Sequence, residues 1–445
     1  MSTNELAIDR GRPEVAMKYR DRWRRVTFSD LVRIAQYAWR DVNTLAKGEG
    51  PIAEFERNFA ALCHTKYALA MNSGTAALHS AYFAVGVKPG TEVIVPSYTF
   101  FASVAPVLQC GGTPVFCDID ERTLTADPDD VERRITPRTR AICVVHMWGN
   151  PARMDRFSEI ARRHRVALIE DCSHAHGASY RGRPVGSWGD IGCFSLQGEK
   201  AVTGGEAGVA VTSDAALFDT MLVLGHYGRL KNGQVADTFQ TDGLAFGLKY
   251  RPHLYAMVLA CGSLSRLHEL NLRRRRNYEI LAAELESCQA VRAVGTYPDA
   301  TRGGFLEFIV KYDPAHAGNW SRERFIKAAR AEGVPIARER YTAIGDRGCL
   351  LHESRLFTTR ELSRFEPDAQ APLPGDGRRH SLPVTQSVAD RLMTLPPFTK
   401  VPERFVRQCA RALRKVANAA ARSHVVAPET PGVRVGAPAV SDARG

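Results

Sequence analysis

An α/β fold follows from three features of this 445-residue chain: short apolar runs, amphipathic stretches of helical spacing between them, and glycine or Ser/Thr/Asn/Asp at the junctions. Apolar strands separated by helices imply a mainly parallel sheet covered on both faces. The length exceeds one ordinary core. The expectation is therefore a three-layer large domain, with a mixed but mainly parallel sheet between helices, and a smaller α+β C-terminal domain.

Residues 1–25 are polar, Arg-rich and weakly patterned, and read as an arm lying on the body or on a partner chain. From Thr27 the positions Phe28, Leu31, Ile34, Ala35 and Ala38 have helical spacing, with Ser29 as the expected cap. The large domain, residues 26–262, then alternates. Strands are expected at Tyr67 to Met71, Glu92 to Val95, Pro114 to Cys117, Ala141 to His146 and Val166 to Glu170. Helices are expected at Thr75 to Val85, Phe100 to Cys110, Asp127 to Ile135 and Arg153 to His164. After Asp190 the strands Ile191 to Ser195 and Val209 to Thr212 close around a Gly-rich loop as hairpin-like additions to the sheet. One long apolar helix from His253 to about Leu270 leads into the second domain, residues 263–423, with a strand at Gly304 to Val310. The Pro/Gly/Ala-rich remainder, 424–445, reads as a disordered tail.

Composition narrows the function classes. No apolar run approaches the roughly 20 residues of a membrane span, and the start lacks a basic flank and an apolar signal core. A cytoplasmic protein is expected. Ten cysteines are scattered without a C-x-x-C pair, several inside apolar runs, and read as reduced core thiols. The histidines show no metal-ligand spacing, so no metal is expected. The net charge of +12 fits a nucleic acid, a membrane surface or a small anion. Its densest run, Arg273-Arg274-Arg275-Arg276, lacks aromatic interleaving and reads as a solvated helix face, so neither a nucleic-acid nor a membrane partner is expected.

Three pieces suit a phosphate-bearing aldehyde cofactor. Asn72-Ser73-Gly74-Thr75-Ala76-Ala77-Leu78 joins a strand to a helix, where N–H groups and the Ser and Thr hydroxyls can cradle phosphate; alone it is also an ordinary helix cap. Asp171 ends a buried strand, where open α/β sheets bind ligands; alone it is also a turn residue. A carboxylate there can keep a pyridine nitrogen protonated and make the ring an electron sink. Lys200 lies in a Gly-flanked loop beside Ser195, and its amine can form an imine; alone it is also a solvated surface group. Gly198-Glu199-Lys200-Ala201 fails as a nucleotide P-loop, and no G-x-G-x-x-G follows a strand.

Five blocks carry a family resemblance. They are Ser73 to His79, Pro89 to Phe100, Pro114 to Asp120, Ile169-Glu170-Asp171-Cys172-Ser173-His174-Ala175-His176-Gly177-Ala178, and Gly189 to Ser195. In order and spacing, from about Gly50 to Leu267 with a weaker echo to Arg422, the chain resembles the DegT/StrS-type sugar aminotransferases. These are pyridoxal-phosphate enzymes with the aspartate-aminotransferase fold, fold type I. The resemblance implies that Lys200 attaches pyridoxal 5'-phosphate as a Schiff base and that Asp171 pairs with the pyridine nitrogen. Ser73, Gly74, Thr75 and Ser195 hold the phosphate, Phe100 stacks on the ring and His174 lies near its hydroxyl. The block Gly247-Leu248-Lys249-Tyr250-Arg251-Pro252 resembles one that reaches a neighbouring subunit's site, which implies a homodimer and gives Lys249 a phosphate contact.

The chain departs from the pattern in three places. Lys249 stands where Asn is usual, Glu199 where Thr or Ser is usual, and Ala207 interrupts Glu-Gly-Gly. Glu199 either points away or favours protonated Lys200. Relatives with histidine in place of the lysine are dehydratases, so a chain that keeps Lys200 implies transamination. The family implies glutamate or glutamine as donor and a keto-sugar, typically nucleotide-activated, as acceptor. Gln197 and Gly228-Arg229 resemble a subgroup acting on keto-cyclitols or aminobenzoate precursors, which stays open. The loops His226 to Gly243 and Tyr341 to Phe365 are expected to carry acceptor specificity, with His226, Arg229 and Tyr341 as candidate substrate residues. A cofactor-binding regulator or a non-transaminating lyase is the rival reading.

Overall fold

In the computed structural model, which describes residues 5–20, 26–230, 248–341, 343–344 and 381–425, the apolar runs become short strands. They are β1 (Tyr67–Met71), β2 (Glu92–Pro96), β3 (Thr113–Cys117), β4 (Thr139–Val145), β5 (Ala167–Asp171), the two-residue β6 (Ser179–Tyr180) and β7 (Arg183–Pro184), β8 (Ile191–Ser195) and β9 (Gly208–Thr212). Seven of them form one sheet in the order β1-β9-β8-β5-β4-β2-β3. From β8 to β3 all pairs are parallel, whereas β9 is antiparallel to both neighbours. The expected hairpin-like pair is thus found, but inside the sheet: β8 docks on β5, and β1 pairs outside β9.

Alternation along the strands divides the core between two layers. Leu69, Met71, Val93, Val95 and Cys193 pack against α3 (Gly74–Ala84), α4 (Ala105–Gln109) and α7 (Ala215–Gly225). Ala68, Ala70, Phe194, Val209 and Val211 pack against α2 (Pro51–Cys63) and α8 (Leu254–Ser265), and Ile94, Ile142, Val144 and Leu168 against α6 (Met154–His164). Between α4 and α6 lies the one-and-a-half-turn α5 (Pro128–Arg133).

Several expectations are corrected. α1 (Phe28–Trp39) is capped by Thr27, not Ser29, because Asp30 returns a carboxylate bond to the Thr27 N–H and completes a capping box. The helix expected from Phe100 to Cys110 is split: a 3₁₀ turn at Phe101–Ser103 precedes α4, whose first turn accommodates Pro106. The long helix expected from His253 breaks at Arg266, and α9 (Leu267–Leu285) begins directly after it. The four arginines of α9 are not one solvated face, since consecutive helical residues point about 100° apart. Arg274 is buried and donates to Thr399 and to the carbonyls of Gly304 and Phe305, while Arg273 and Arg276 pair outside with Glu269 and Glu403.

The C-terminal part adds β10 (Val291–Ala293), β11 (Ala300–Thr301), β12 (Phe308–Tyr312), α10 (Arg322–Ala331), β13 (Ala337–Arg338), α11 (Pro383–Ala389), β14 (Leu392–Leu395) and α12 (Glu403–Val425). Its antiparallel sheet runs β10-β12-β14-β13. The two cores meet within α9, whose Leu267 and Leu270 join the large core and whose Leu281 and Leu285 join the C-terminal one. Leu6 and Val15 of the N-terminal segment also enter the C-terminal core, where the Glu332 carboxylate accepts the N–H groups of Ala7 at 2.8 Å and Glu14 at 2.9 Å. The expected disordered tail beyond Val425 lies outside the described residues. Among the described residues no helix is long and apolar enough to cross a membrane.

Candidate active site

The carboxyl end of β5 carries two adjacent acids, and strand alternation sends them to opposite sides. Glu170 is fully buried and accepts the N–H groups of Gly186, Trp188 and Gly189 at 2.7–2.8 Å and a bond to His146 Nε2 at 3.0 Å. His146, Glu170 and Cys172 therefore bring ligand-type atoms within 4.8 Å of one another, but the carboxylate is already committed to hydrogen bonds. Asp171 is held differently. Ser103 donates its hydroxyl to Asp171 Oδ2 at 2.7 Å, Ser103 and Thr99 hydroxyls share a bond of 2.9 Å, and Ser173 N–H donates to Oδ1 at 3.0 Å.

Two glycines build an anion cradle. At the start of α3 the Ser73 hydroxyl accepts the Ala76 N–H at 3.0 Å, which leaves the first-turn N–H groups of Gly74 and Thr75 for an outside acceptor. A Cβ on Gly74 would stand 2.8 Å from Ser195 Cβ, and one on Gly208 would stand 2.2 Å from the Ser73 carbonyl carbon. Ser195 and Gly208 are register partners across β8 and β9. The glycines thus let the helix N-terminus press directly onto the strand ends.

Lys200 sits in the turn after β8, its N–H donating to the Gln197 carbonyl at 2.9 Å. Burial lowers its amine from 10.5 to about 8, against the opposing charges of Asp171, Glu199 and Glu307 and with help from Arg340. The same amine, after burial itself, depresses His174 and His176 well below the usual histidine range. Lys200, Asp171 and His174 therefore share one electrostatic neighbourhood although they are distant along the chain.

An aromatic wall closes the site. Tyr341 stacks on Trp148 at 5.0 Å between centroids, lies 5.9 Å from the His174 ring and shares a 3.4 Å bond between its hydroxyl and His174 Nε2. Phe100, an exposed residue, has its ring 5.8 Å from Tyr341 and 4.3 Å from Phe101 between centroids. Lys249 is exposed at the rim, and its carbonyl and that of Tyr250 accept the Asn72 side-chain amide at 3.4 Å and N–H at 2.8 Å. His226 and Arg229 stand apart from this cluster. Arg229 makes a bidentate bond to buried Glu56 at 2.7 and 2.9 Å, and His226 is buried and pushed down to about 3 by burial and by Arg229 and Arg251. The expected specificity loops at 231–243, 342 and 345–365 lie outside the described residues.

Ser103, Trp148, Glu307, Glu339 and Arg340 join the site without belonging to any motif of the sequence. Trp148 carried one usable signal, its place just beyond the carboxyl end of β4, where it takes a positive φ of 56°. Glu307 and Arg340 come from the C-terminal part and have no local signature.

A model of the DegT/DnrJ/EryC1/StrS aminotransferase family matches residues 38–344. The chain belongs to this family. It is accordingly an aminotransferase dependent on pyridoxal phosphate, with fold type I. L-Glutamine:2-deoxy-scyllo-inosose aminotransferase of Streptomyces kanamyceticus is 33% identical over 427 residues, covering 94% of this chain and 97% of the relative. GDP-perosamine synthase of Caulobacter vibrioides is 43% identical over 226 residues, covering 51% and 59%. Among solved structures, DesI in the presence of its TDP-sugar product superposes with a TM-score of 0.74 at 28% identity, covering 96% of this chain and 98% of that one. 3-Amino-5-hydroxybenzoic acid synthase does so at 0.73 and 27%, covering 90% and 98%. The residues present suit the cofactor. The first-turn N–H groups of Gly74 and Thr75, with the Ser195 side chain packed against Gly74, suit its phosphate, buried Asp171 suits its ring nitrogen, and the amine of Lys200 suits its aldehyde.

Proposed function

We propose that this aminotransferase moves an amino group from glutamine or glutamate to the ketone of a polyhydroxylated ring, a keto-cyclitol or a keto-sugar that can be nucleotide-activated, in amino-sugar or antibiotic biosynthesis. The observation that carries the reading is the convergence of Lys200, Asp171 and the Gly74 cradle on one site. When bound, pyridoxal phosphate supplies a protonated ring that withdraws electrons from the substrate carbon. The chain's own residues supply the rest. Gly74, Thr75, Ser73 and Ser195 bind the phosphate, Asp171 holds the charge of the ring nitrogen, and Phe100 and His174 flank the ring. Lys200 takes and returns the α-proton. An amine at about 8 is neutral in roughly a tenth of molecules at pH 7, whereas one at 10.5 is neutral in fewer than about one in a thousand. Burial therefore makes it a usable base.

The relative aligned over nearly its whole length is named for a cyclitol ketone, which favours the keto-cyclitol acceptor; the GDP-perosamine synthase match, over half the chain, keeps the keto-sugar as the second reading. His226, Arg229 and Tyr341 remain the proposed substrate residues, with Tyr341 the one on the wall of the site. A homodimer is part of the proposal, with Lys249 reaching a partner's phosphate. The exposed face of α1, with Phe28 80% and Trp39 93% exposed beside Leu31 and Val32, supports a second copy as its cover. Location in the cytoplasm is supported by free cysteines at all nine described positions. The test is a half-reaction: glutamine or glutamate should bleach the yellow band of the purified protein, and a keto-cyclitol or keto-sugar should restore it. Bleaching by neither donor would refute the reading.

A further inference from the structure

A carboxylate directly before a lysine that must lose its proton is unexpected chemistry, yet Glu199 stands there. The fold gives it a partner. Arg340 Nη1 donates to Glu199 Oε2 at 3.0 Å, and its Nη2 donates to Glu307 Oε1. Glu307 lies next to β12 and is itself fixed by the Thr394 hydroxyl, which donates to Oε2 at 2.6 Å from β14. On the other side of the bridge the chain is fastened twice more: Glu339 Oε1 accepts the Tyr341 N–H at 2.6 Å, and Tyr341 stacks on Trp148. Burial works against the charge of Arg340, but the bonds and charges of Glu307 and Glu199 outweigh it and hold the guanidinium protonated.

The outer half of the bridge adds little to global stability, because the Arg340 and Glu199 side chains are 46% and 54% exposed. Its effect falls instead on the neighbouring amine. The groups facing Lys200 are Asp171, Glu199 and Glu307, which favour its charge, Arg340, which opposes it, and His174 and His176, which are buried and neutral. Without Arg340 the two glutamates would act on Lys200 uncompensated.

We propose that Arg340 is a positioning residue of the aminotransferase reaction, which fastens the Lys200 turn to the C-terminal sheet and cancels the carboxylate that Glu199 brings beside the reacting amine. The inference rests on Lys200 being that amine. It also accounts for Glu199 standing where an uncharged hydroxyl residue is usual: acid and arginine act as a unit.

The test reads Lys200 itself. In full-length protein stripped of cofactor, the rate of acetylation of Lys200 by acetic anhydride is followed by peptide mass against pH. Arg340→Gln should move the midpoint up by about one pH unit, and Glu199→Gln should move it down by a similar amount. The double variant should return to within a few tenths of a unit of wild type, and Arg340→Lys, which keeps the charge, should stay near it. A profile for Arg340→Gln that superposes on wild type, or moves in the same direction as that of Glu199→Gln, overturns the proposal. Should Arg340→Gln not fold by itself, the double variant compared with Glu199→Gln decides: a midpoint above that of Glu199→Gln supports the bridge, and a midpoint equal to it overturns it. Labelling needs no turnover, so a wild type that accepts no amino donor refutes the proposed function and leaves this test intact.

Discussion

Ser103 donates a hydroxyl hydrogen bond to Asp171 Oδ2 at 2.7 Å, and so fixes one oxygen of the carboxylate proposed to face the cofactor's ring nitrogen. The Ser173 N–H fixes the other oxygen, so the acid can turn neither way. A hydrogen bond to a charged group is worth about 1.5–3 kcal/mol. Ser103→Ala should therefore weaken pyridoxal phosphate binding roughly 10- to 100-fold by fluorescence titration, with the fold intact. Unchanged affinity would remove Ser103 from the site.

The neighbours Glu170 and Asp171 should separate folding from catalysis. Glu170→Ala strands three buried N–H groups, each at about 1–3 kcal/mol, and should lower the unfolding free energy by about 3 kcal/mol or more in urea titrations. Asp171→Ala should fold and lose turnover by more than about 100-fold. Equal effects of the two on stability would contradict the division of labour.

Lys200 gives a pH signature. Its amine falls from 10.5 to about 8 on folding, so between those values the unfolded chain binds more protons and stability rises with pH. Below pH 8 the buried amine costs about 3 kcal/mol. Cofactor-free Lys200→Met should thus be more stable than wild type at pH 7, and the gain should shrink above pH 8 and vanish above pH 10.5, as thermal melts across that range will show.

Gly208→Ala places a methyl carbon 2.2 Å from the Ser73 carbonyl carbon, where only backbone can move. Overpacking of this kind costs about 1–3 kcal/mol, and here it falls on the phosphate cradle. Loss of cofactor affinity exceeding the loss of stability is the expected outcome, measured on the same preparation by titration and melting.

The sheet was legible in the sequence because its strands are short apolar runs with glycine or polar residues at their ends. The pattern from Phe100 to Cys110 reads as one helix but splits before α4, where Pro106 sits in the first turn, and the arginine run of α9 reads as one face although helical rotation buries Arg274. Within the site, Gly74, Asp171 and Lys200 announce themselves through strand ends and loops. Ser103 hides inside an apparent helix, and Arg340 meets Glu199 only because the C-terminal part folds back over a turn 141 positions away. Such long-range pairs leave no local trace. Arg229, proposed from its loop as a substrate residue, also has a partner that leaves no local trace, the buried Glu56 carboxylate 173 positions away.

The most direct measurement is borohydride reduction of the yellow full-length protein followed by peptide mapping. The cofactor's mass should be found on the peptide carrying Lys200, and Lys200→Ala should yield neither the labelled peptide nor turnover of any ketone. Cofactor fixed to another lysine, or an alanine variant that still aminates its acceptor, would contradict the assignment of Lys200.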